Sequence, residues 1–237
     1  MQFDNVVIIE DNYRNYYPLS ISTPLSDLII GGLRYYEHVA LWLMSLGYDV
    51  NIYVVTRDYL ARYWQGVADS ILSKLNLKYS VKYVQSTEDI SGVTLWMRTS
   101  LIPQIDVLNK LISDARTGLE IKCGDKSLLS ITNERGGVGV KDAINNCDLP
   151  MASGIWSIIK WNTELLRSNS KYLVKVIGDK TVNSDISGNA IIDERAGNVI
   201  AIDAIIEPLT YIKGPSLLGP GSRCYLTHSL GRAQYST

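Results

Sequence analysis

Glycine is missing where this chain would have most use for it. The opening stretch NVVIIEDNYRNYYPLSISTPLSDL, residues 5–28, is a strand-like run followed by a polar loop, and no glycine follows until Gly31. Loops of this kind commonly hold phosphates, and glycine is what lets their backbone amides approach an anion closely. Other absences bound the protein more broadly. No apolar run approaches the roughly 18 residues of a membrane-spanning helix, so no membrane partner is expected. Net charge is −1, so no global field draws the chain to nucleic acid or an anionic surface. Met1 leads straight into a polar residue and a strand, without the basic and apolar regions of a signal peptide, and cytoplasmic residence is the expectation. Cysteine is scarce and widely spaced, at Cys123, Cys147 and Cys224. That predicts reduced thiols rather than a disulfide framework, and no C-x-x-C pair suggests zinc. The two histidines, His38 and His228, build no Ser-His-Asp or Cys-His arrangement.

What is present is the composition of a globular chain, with 237 residues, 46% hydrophobic and 20% charged. The length suits one large domain or a domain with an appendage. Val6 to Ile9 reads as a strand buried on both faces. Residues 34–46 read as a helix with Leu33, Tyr36, Ala40, Leu43 and Met44 on one apolar face and Gly47 as its stop. Residues 51–55 form a second strand, completing a parallel crossover. A helical stretch follows over residues 57–75, ended or interrupted near Gly66. Residues 79–84, 92–98 and 127–132 are further strand candidates. Residues 103–115 read as a helix with Pro103 in its first turn, and the stretch from Gly154 combines a strand-like start with a helix. The alternation predicts an α/β domain with a mainly parallel sheet.

From Ile200 the pattern changes. The chain can be cut every six residues as IAIDAI, IEPLTY, IKGPSL, LGPGSR and CYLTHS. Ile200, Ile206, Ile212, Leu218 and Cys224 hold the first position; Ala204, Thr210, Ser216, Ser222 and His228 hold the fifth. Large and small positions keep register, which is the pattern of a hexapeptide β-helix. So short an array needs a neighbour to cover its ends.

An α/β domain followed by hexapeptide repeats resembles the sugar nucleotidyltransferases with β-helix tails, of which the N-acetylglucosamine-1-phosphate uridyltransferases are the nearest kind. Pro18-Leu19-Ser20 and Pro24 match that family's P-L-T and later proline. The run through "SDLIIGGLRYYEHVALWL" is similar to the helix after its loop. A divergent branch, with P-L-T-x-T-R-P and then an acidic residue, is closer still. The resemblance implies a Rossmann-like nucleotidyltransferase domain over residues 1–198 and a short, incomplete left-handed β-helix over 199–237. It implies a reaction between a nucleoside triphosphate and a sugar-1-phosphate, Mg²⁺ as cofactor, and a homo-oligomer formed through the β-helix.

Aligned on Pro18, the family's loop glycines fall on Asp11 and Tyr13, its arginine on Asn15 beside Arg14, and its lysine on Leu25. Arg14, Asn15 and Arg98 are the candidates for the catalytic positions. Asp11, Arg14, Pro18 and Arg34 are the candidates for holding nucleotide and phosphate, with ordinary surface ion pairs or loop caps as the plain alternative. Asp185 and Asp193 are the candidate metal carboxylates. The glycine-containing run at 133–142 matches neither phosphate-loop spacing and reads as a turn or a mobile loop over the pocket. Two further readings stand beside the enzyme: a relative that keeps the fold as a binding or assembly subunit, and a hexapeptide acyltransferase using His228.

Overall fold

The computed structural model describes residues 3–48, 51–64, 79–113, 116–133 and 139–225. The chain divides into two compact units, Met1–Ile177 and Gly178–Thr237. The first runs β1 (Asn5–Ile9), β2 (Ile29–Ile30), β3 (Leu33–Arg34), α1 (Tyr35–Ser45), β4 (Asn51–Val55), α2 (Asp58–Trp64), β5 (Ser80–Val84) and β6 (Thr94–Arg98). It continues through α3 (Ile105–Ser113), β7 (Leu119–Cys123), β8 (Lys126–Thr132), β9 (Asp142–Asn145) and α4 (Ile155–Ile177). This is a mixed α/β unit around a seven-stranded sheet of order β5-β4-β1-β6-β8-β7-β9.

The sheet is mainly parallel. β1 pairs in parallel with β4 and β6, and β4 with β5. β8 runs against both of its neighbours, and β9 returns parallel to β7. From β1 the chain steps outward through β4 to β5, then crosses to the other side of β1 to lay down β6. The strand order therefore reverses between β1 and β6. Val6, Val7 and Ile8 are fully buried, as expected of a central strand covered on both faces.

α1 is buried from Tyr35 through Leu43, so it has no exposed face where the sequence suggested a single apolar stripe. Its polar residues are satisfied internally. Glu37 accepts a hydrogen bond from the Arg34 amide at 2.7 Å, as an N-terminal cap does. His38 Nε2 lies 2.6 Å from the Ile30 carbonyl and its Nδ1 3.0 Å from Asn169. α1 packs on α4 and α3. Gly31, the first glycine of the chain, serves this packing: at φ +66° its Cβ position lies 2.8 Å from the Leu166 amide on α4.

Several elements differ from the sequence reading. α4 is helical from Ile155, without a strand-like start. β7 and β9 were not anticipated. β9 is exposed along its length and carries no apolar alternation to announce it. The cysteine expectation is overturned. Cys123 and Cys147 form a disulfide, and Cys224 is the free thiol. The two lie 24 residues apart, but the parallel pairing of β7 with β9, Lys122 opposite Asn145, brings them together. The helical expectation beyond Trp64 with Gly66, most of the glycine-containing run, and His228 lie outside the described residues.

The second unit contains β10 (Thr181–Val182), β11 (Asp185–Ile186), β12 (Ile191–Asp193), β13 (Val199–Ile202), β14 (Ile205–Ile206), β15 (Tyr211–Lys213), β16 (Ser216–Leu218) and β17 (Arg223–Cys224). They form three parallel ladders, β10-β13-β16, β11-β14-β17 and β12-β15. Thr181, Asp185 and Ile191 each pair with the residue twenty positions on. Ile206 pairs with Cys224, eighteen on, and Ala201 with Leu218, seventeen on. Ile206 and Ile212 share a core with Ala204, against which Ile186, Leu218 and Cys224 pack. At β13 it is Val199 and Ala201 that face this core, because the pairing there slips by one residue from a strict six-residue register. The unit begins before the sequence-based boundary at 198/199. Its first turn is twenty residues long, which is not a multiple of six.

Candidate functional site

In open α/β sheets, ligands bind beyond the carboxyl ends of the strands at the point where strand order reverses. Here that point lies beyond Ile9 of β1 and Arg98 of β6, and the glycine-free loop starts there. Asp11 joins the two strand ends. Its Oδ1 accepts hydrogen bonds from Thr99 Oγ1 and the Ser100 amide, both at 2.8 Å, and its own amide donates to Thr99 Oγ1 at 3.1 Å. Asn12, in the left-handed region at φ 52°, turns the chain and donates from Nδ2 to Asp11 Oδ2 at 3.2 Å.

A buried ion pair shapes the rest of the loop. Glu10 Oε1 accepts from Arg57 Nη2 at 3.0 Å and from the Leu25 amide at 2.9 Å. Its Oε2 accepts from Thr56 Oγ1 at 2.7 Å and Arg57 Nε at 3.1 Å. The two side chains are only 3% and 13% exposed. Arg57 also donates to the Ser20 carbonyl and lies 4.5 Å from the centre of the Tyr13 ring. Three short 3-10 turns, Tyr13–Tyr16, Leu19–Ile21 and Leu25–Asp27, fill the span. The amides of Asn15, Tyr17, Ile21 and Asp27 bond to carbonyls within the loop. Those four amides are therefore committed within the loop. Tyr16 is buried beneath the loop, and burial, with the charge of Asp11 adding to it, pushes its hydroxyl up to about 12.

Two cavities lie near these strand ends, and Leu128 lines both. One, of about 390 Å³, is lined by Asn12, Asn15, Ser100, Lys126, Met151 and Ser153 among others. The other, of about 210 Å³, is lined by Ile9, Trp96, Arg98, Glu120, Ser127 and Ser130 among others. Asn15 reaches the first through the loop, its Nδ2 donating to the Ser153 carbonyl at 3.0 Å. Gly154 permits that approach, since a Cβ there would lie 3.1 Å from the Asn15 carbonyl oxygen.

The structure thus places Asp11 and Asn15 at the crevice and Arg98 in the smaller cavity. Arg14 and Pro18 are exposed on the loop, and neither lines these cavities. Arg34 stands elsewhere, at the start of α1, donating to the Tyr36 hydroxyl at 2.8 Å. Near it the Asp27 carboxylate accepts from the Tyr83 hydroxyl at 2.8 Å, and burial raises the Asp27 pKa above the ordinary value. Asp185 and Asp193 belong to the second unit. Asp193 is bound by Arg195 at 2.7 Å and Tyr211 at 2.7 Å; the Arg195 hydrogen bond, then that from Tyr211, holds it well below the usual carboxylate range.

These residues do not fit a protein-built magnesium site. Such a site needs oxygen donors with open lone pairs, typically one or two carboxylates plus substrate phosphates. Asp11 Oδ1 already accepts two hydrogen bonds, the Asp193 carboxylate is held by Arg195 and Tyr211, and among the described residues no three His, Cys, Asp or Glu side chains gather. Sequence reasoning missed Glu10, Arg57, Ser100 and Lys126. The one available signal was an acidic residue, Glu10, directly after the apolar run Val6 to Ile9.

No family model matches the chain, and no curated protein matches it. Among solved structures, it is similar to the inositol-1-phosphate CTP transferase from T. maritima, at 10% identity and a TM-score of 0.35, over 53% of this chain and 56% of that one. It is also similar to a protein from Bacillus anthracis named as a glucose-1-phosphate thymidylyltransferase and solved with a sucrose, at 10% identity and a TM-score of 0.34, over 55% of this chain and 69% of that one. The chain spans little more than half the length of the first of these. Among the described residues, no helix is long and apolar enough to cross a membrane.

Proposed function

We propose that this chain is a sugar-1-phosphate nucleotidyltransferase, joining a nucleoside triphosphate and a sugar-1-phosphate into a nucleotide sugar and pyrophosphate. One observation carries the reading. The loop with the P-L-S and later proline of the family signature leaves β1 where the strand order reverses between β1 and β6, which is where ligands of such sheets bind. In the reaction, a phosphate oxygen of the sugar-1-phosphate forms a bond to the α-phosphorus. The α–β bridging P–O bond breaks, and pyrophosphate leaves with its electron pair. The protein's part is positioning and charge neutralisation. Arg98 is the cation placed at a cavity by the strand end. Asn15 and Asp11 shape the loop, and Arg14 would have to fold in from the surface to reach a triphosphate. Magnesium is expected to accompany the triphosphate.

The three parallel ladders and their turns of seventeen to twenty residues support reading the second unit as a short left-handed β-helix, a surface through which copies of the chain would assemble. A second reading, that of a relative keeping the fold as a binding subunit, is favoured by one specific observation: the amides of Asn15, Tyr17, Ile21 and Asp27 are bonded within the loop and turned away from any phosphate role. Pyrophosphate release separates the two. The protein is incubated with a panel of nucleoside triphosphates and sugar-1-phosphates, with and without Mg²⁺. Release that depends on both substrates supports the enzyme; none across the panel, with no nucleotide binding by calorimetry, removes it.

A further inference from the structure

Among the described residues, the buried side-chain oxygen with no hydrogen-bond partner is Ser100 Oγ. Ser100 is 6% exposed and lines the cavity of about 390 Å³. A buried hydroxyl without a partner is costly and calls for an explanation. The groups around it form a complementary set. Asn12 and Asn15 each donate one Nδ2 hydrogen, to Asp11 and Ser153, which leaves each amide one N–H and its Oδ1 for a ligand. Lys126, at the start of β8, is exposed and has no ion pair among the described residues. Met151 and Ala152 add apolar surface, and Asp125 also lines the cavity. An inorganic anion would use Lys126 and leave the two amide oxygens without a donor. A ligand with hydroxyls to donate and a single anionic group uses all of them.

We propose that this cavity is the subsite for a phosphorylated polyol such as a hexose phosphate. Lys126 holds the phosphate, Asn12 and Asn15 accept from hydroxyls, and Ser100 Oγ completes its hydrogen bonding on the ligand. This rests on the nucleotidyltransferase reading and assigns one of its two substrates to residues that the family signature does not mark. The neighbouring cavity with Arg98, sharing Leu128 as a wall, leaves separate room for the other substrate.

The test is calorimetry on the full chain with a panel of hexose 1-phosphates, the matching free sugars and inorganic phosphate. A hexose phosphate should bind more tightly than either of its parts. Lys126→Ala should weaken it at least tenfold. Ser100→Ala should weaken it several-fold, without weakening inorganic phosphate and without lowering the melting temperature, because the hydroxyl it removes has no partner in the protein. Failure of every hexose phosphate to bind overturns the proposal, as does unchanged affinity in Lys126→Ala. Pyrophosphate release measured in parallel separates the two levels. Turnover with an unaltered KM for the sugar phosphate in Lys126→Ala overturns the subsite and leaves the enzyme. Binding that Lys126→Ala abolishes, in a protein that releases no pyrophosphate, leaves the subsite and overturns the enzyme.

Discussion

Glu10 decides the shape of the loop more than any residue of the family signature. Its carboxylate joins Arg57, Thr56 and the Leu25 amide. Removing one partner of a buried ion pair leaves the other charge uncompensated, at a cost of about 3–5 kcal/mol. Glu10→Ala should therefore lower the unfolding free energy by about 3 kcal/mol in urea titration, whereas Arg14→Ala, at an exposed position, should change it by less than about 0.5 kcal/mol. His38 is the second residue with a sharp consequence. Complete burial lowers its pKa from 6.5 to about 4, so between those values the unfolded chain binds the proton and the folded chain does not. Its contribution is present above pH 6.5 and is lost as pH falls towards about 4, at up to about 1.4 kcal/mol per pH unit. Asp27 acts with the opposite sign: burial raises its carboxyl, so its contribution is lost as pH rises through the folded value. Comparing the stability–pH curves of wild type and His38→Gln isolates the histidine, and the slope in that window should be shallower in the variant. At this scale Asp11 and Asn15 were legible through the motif, because a loop's place in sequence fixes its place on the sheet. Ser100 and Lys126 were not, since their importance arises from a cavity assembled by segments distant along the chain.

Among the elements, the hairpin of β7 and β8 and the strand β9 carry the largest departure from the sequence reading. The inner strands β1 and β6 declare themselves through apolar runs buried on both faces, and β4 through an alternation that buries Ile52 and Val54. β9 is an exposed edge whose identity rests on pairing with β7, and pairing partners leave no local trace. The same pairing creates the Cys123–Cys147 disulfide, which ties the hairpin end before Lys126 to the segment that leads into Met151. Disulfides persist mainly in oxidising compartments, which weighs against the cytoplasmic expectation drawn from the N-terminus. Thiol titration of the denatured, unreduced protein should find one reactive cysteine, Cys224, and all three after reduction. Closing a loop of this length stabilises by about 3 kcal/mol in the chain-entropy account, so the reduced protein should melt at a lower temperature. Three titratable thiols before reduction would contradict the pairing.

At the scale of the whole molecule, two patterns of different period share one chain. The α/β alternation was visible and the mainly parallel sheet follows from it; the parallel ladders of the second unit are compatible with the six-residue pattern, at spacings of seventeen to twenty residues. The division between the units was misplaced because the first turn of the ladders is twenty residues, out of step with the repeat that follows. Strand order was beyond the sequence, since apolar runs show which segments are strands but not which lie side by side. That order is what sets the glycine-free loop at the reversal between β1 and β6, and the central proposal is that nucleotide binds there with Arg98 as a partner of its phosphates. A crystal structure of the protein soaked with a nucleoside triphosphate tests this most directly. The account predicts the phosphates beyond the carboxyl ends of β1 and β6, within hydrogen-bond reach of Arg98. A nucleotide bound on any other surface, or none at saturating concentration, would contradict it.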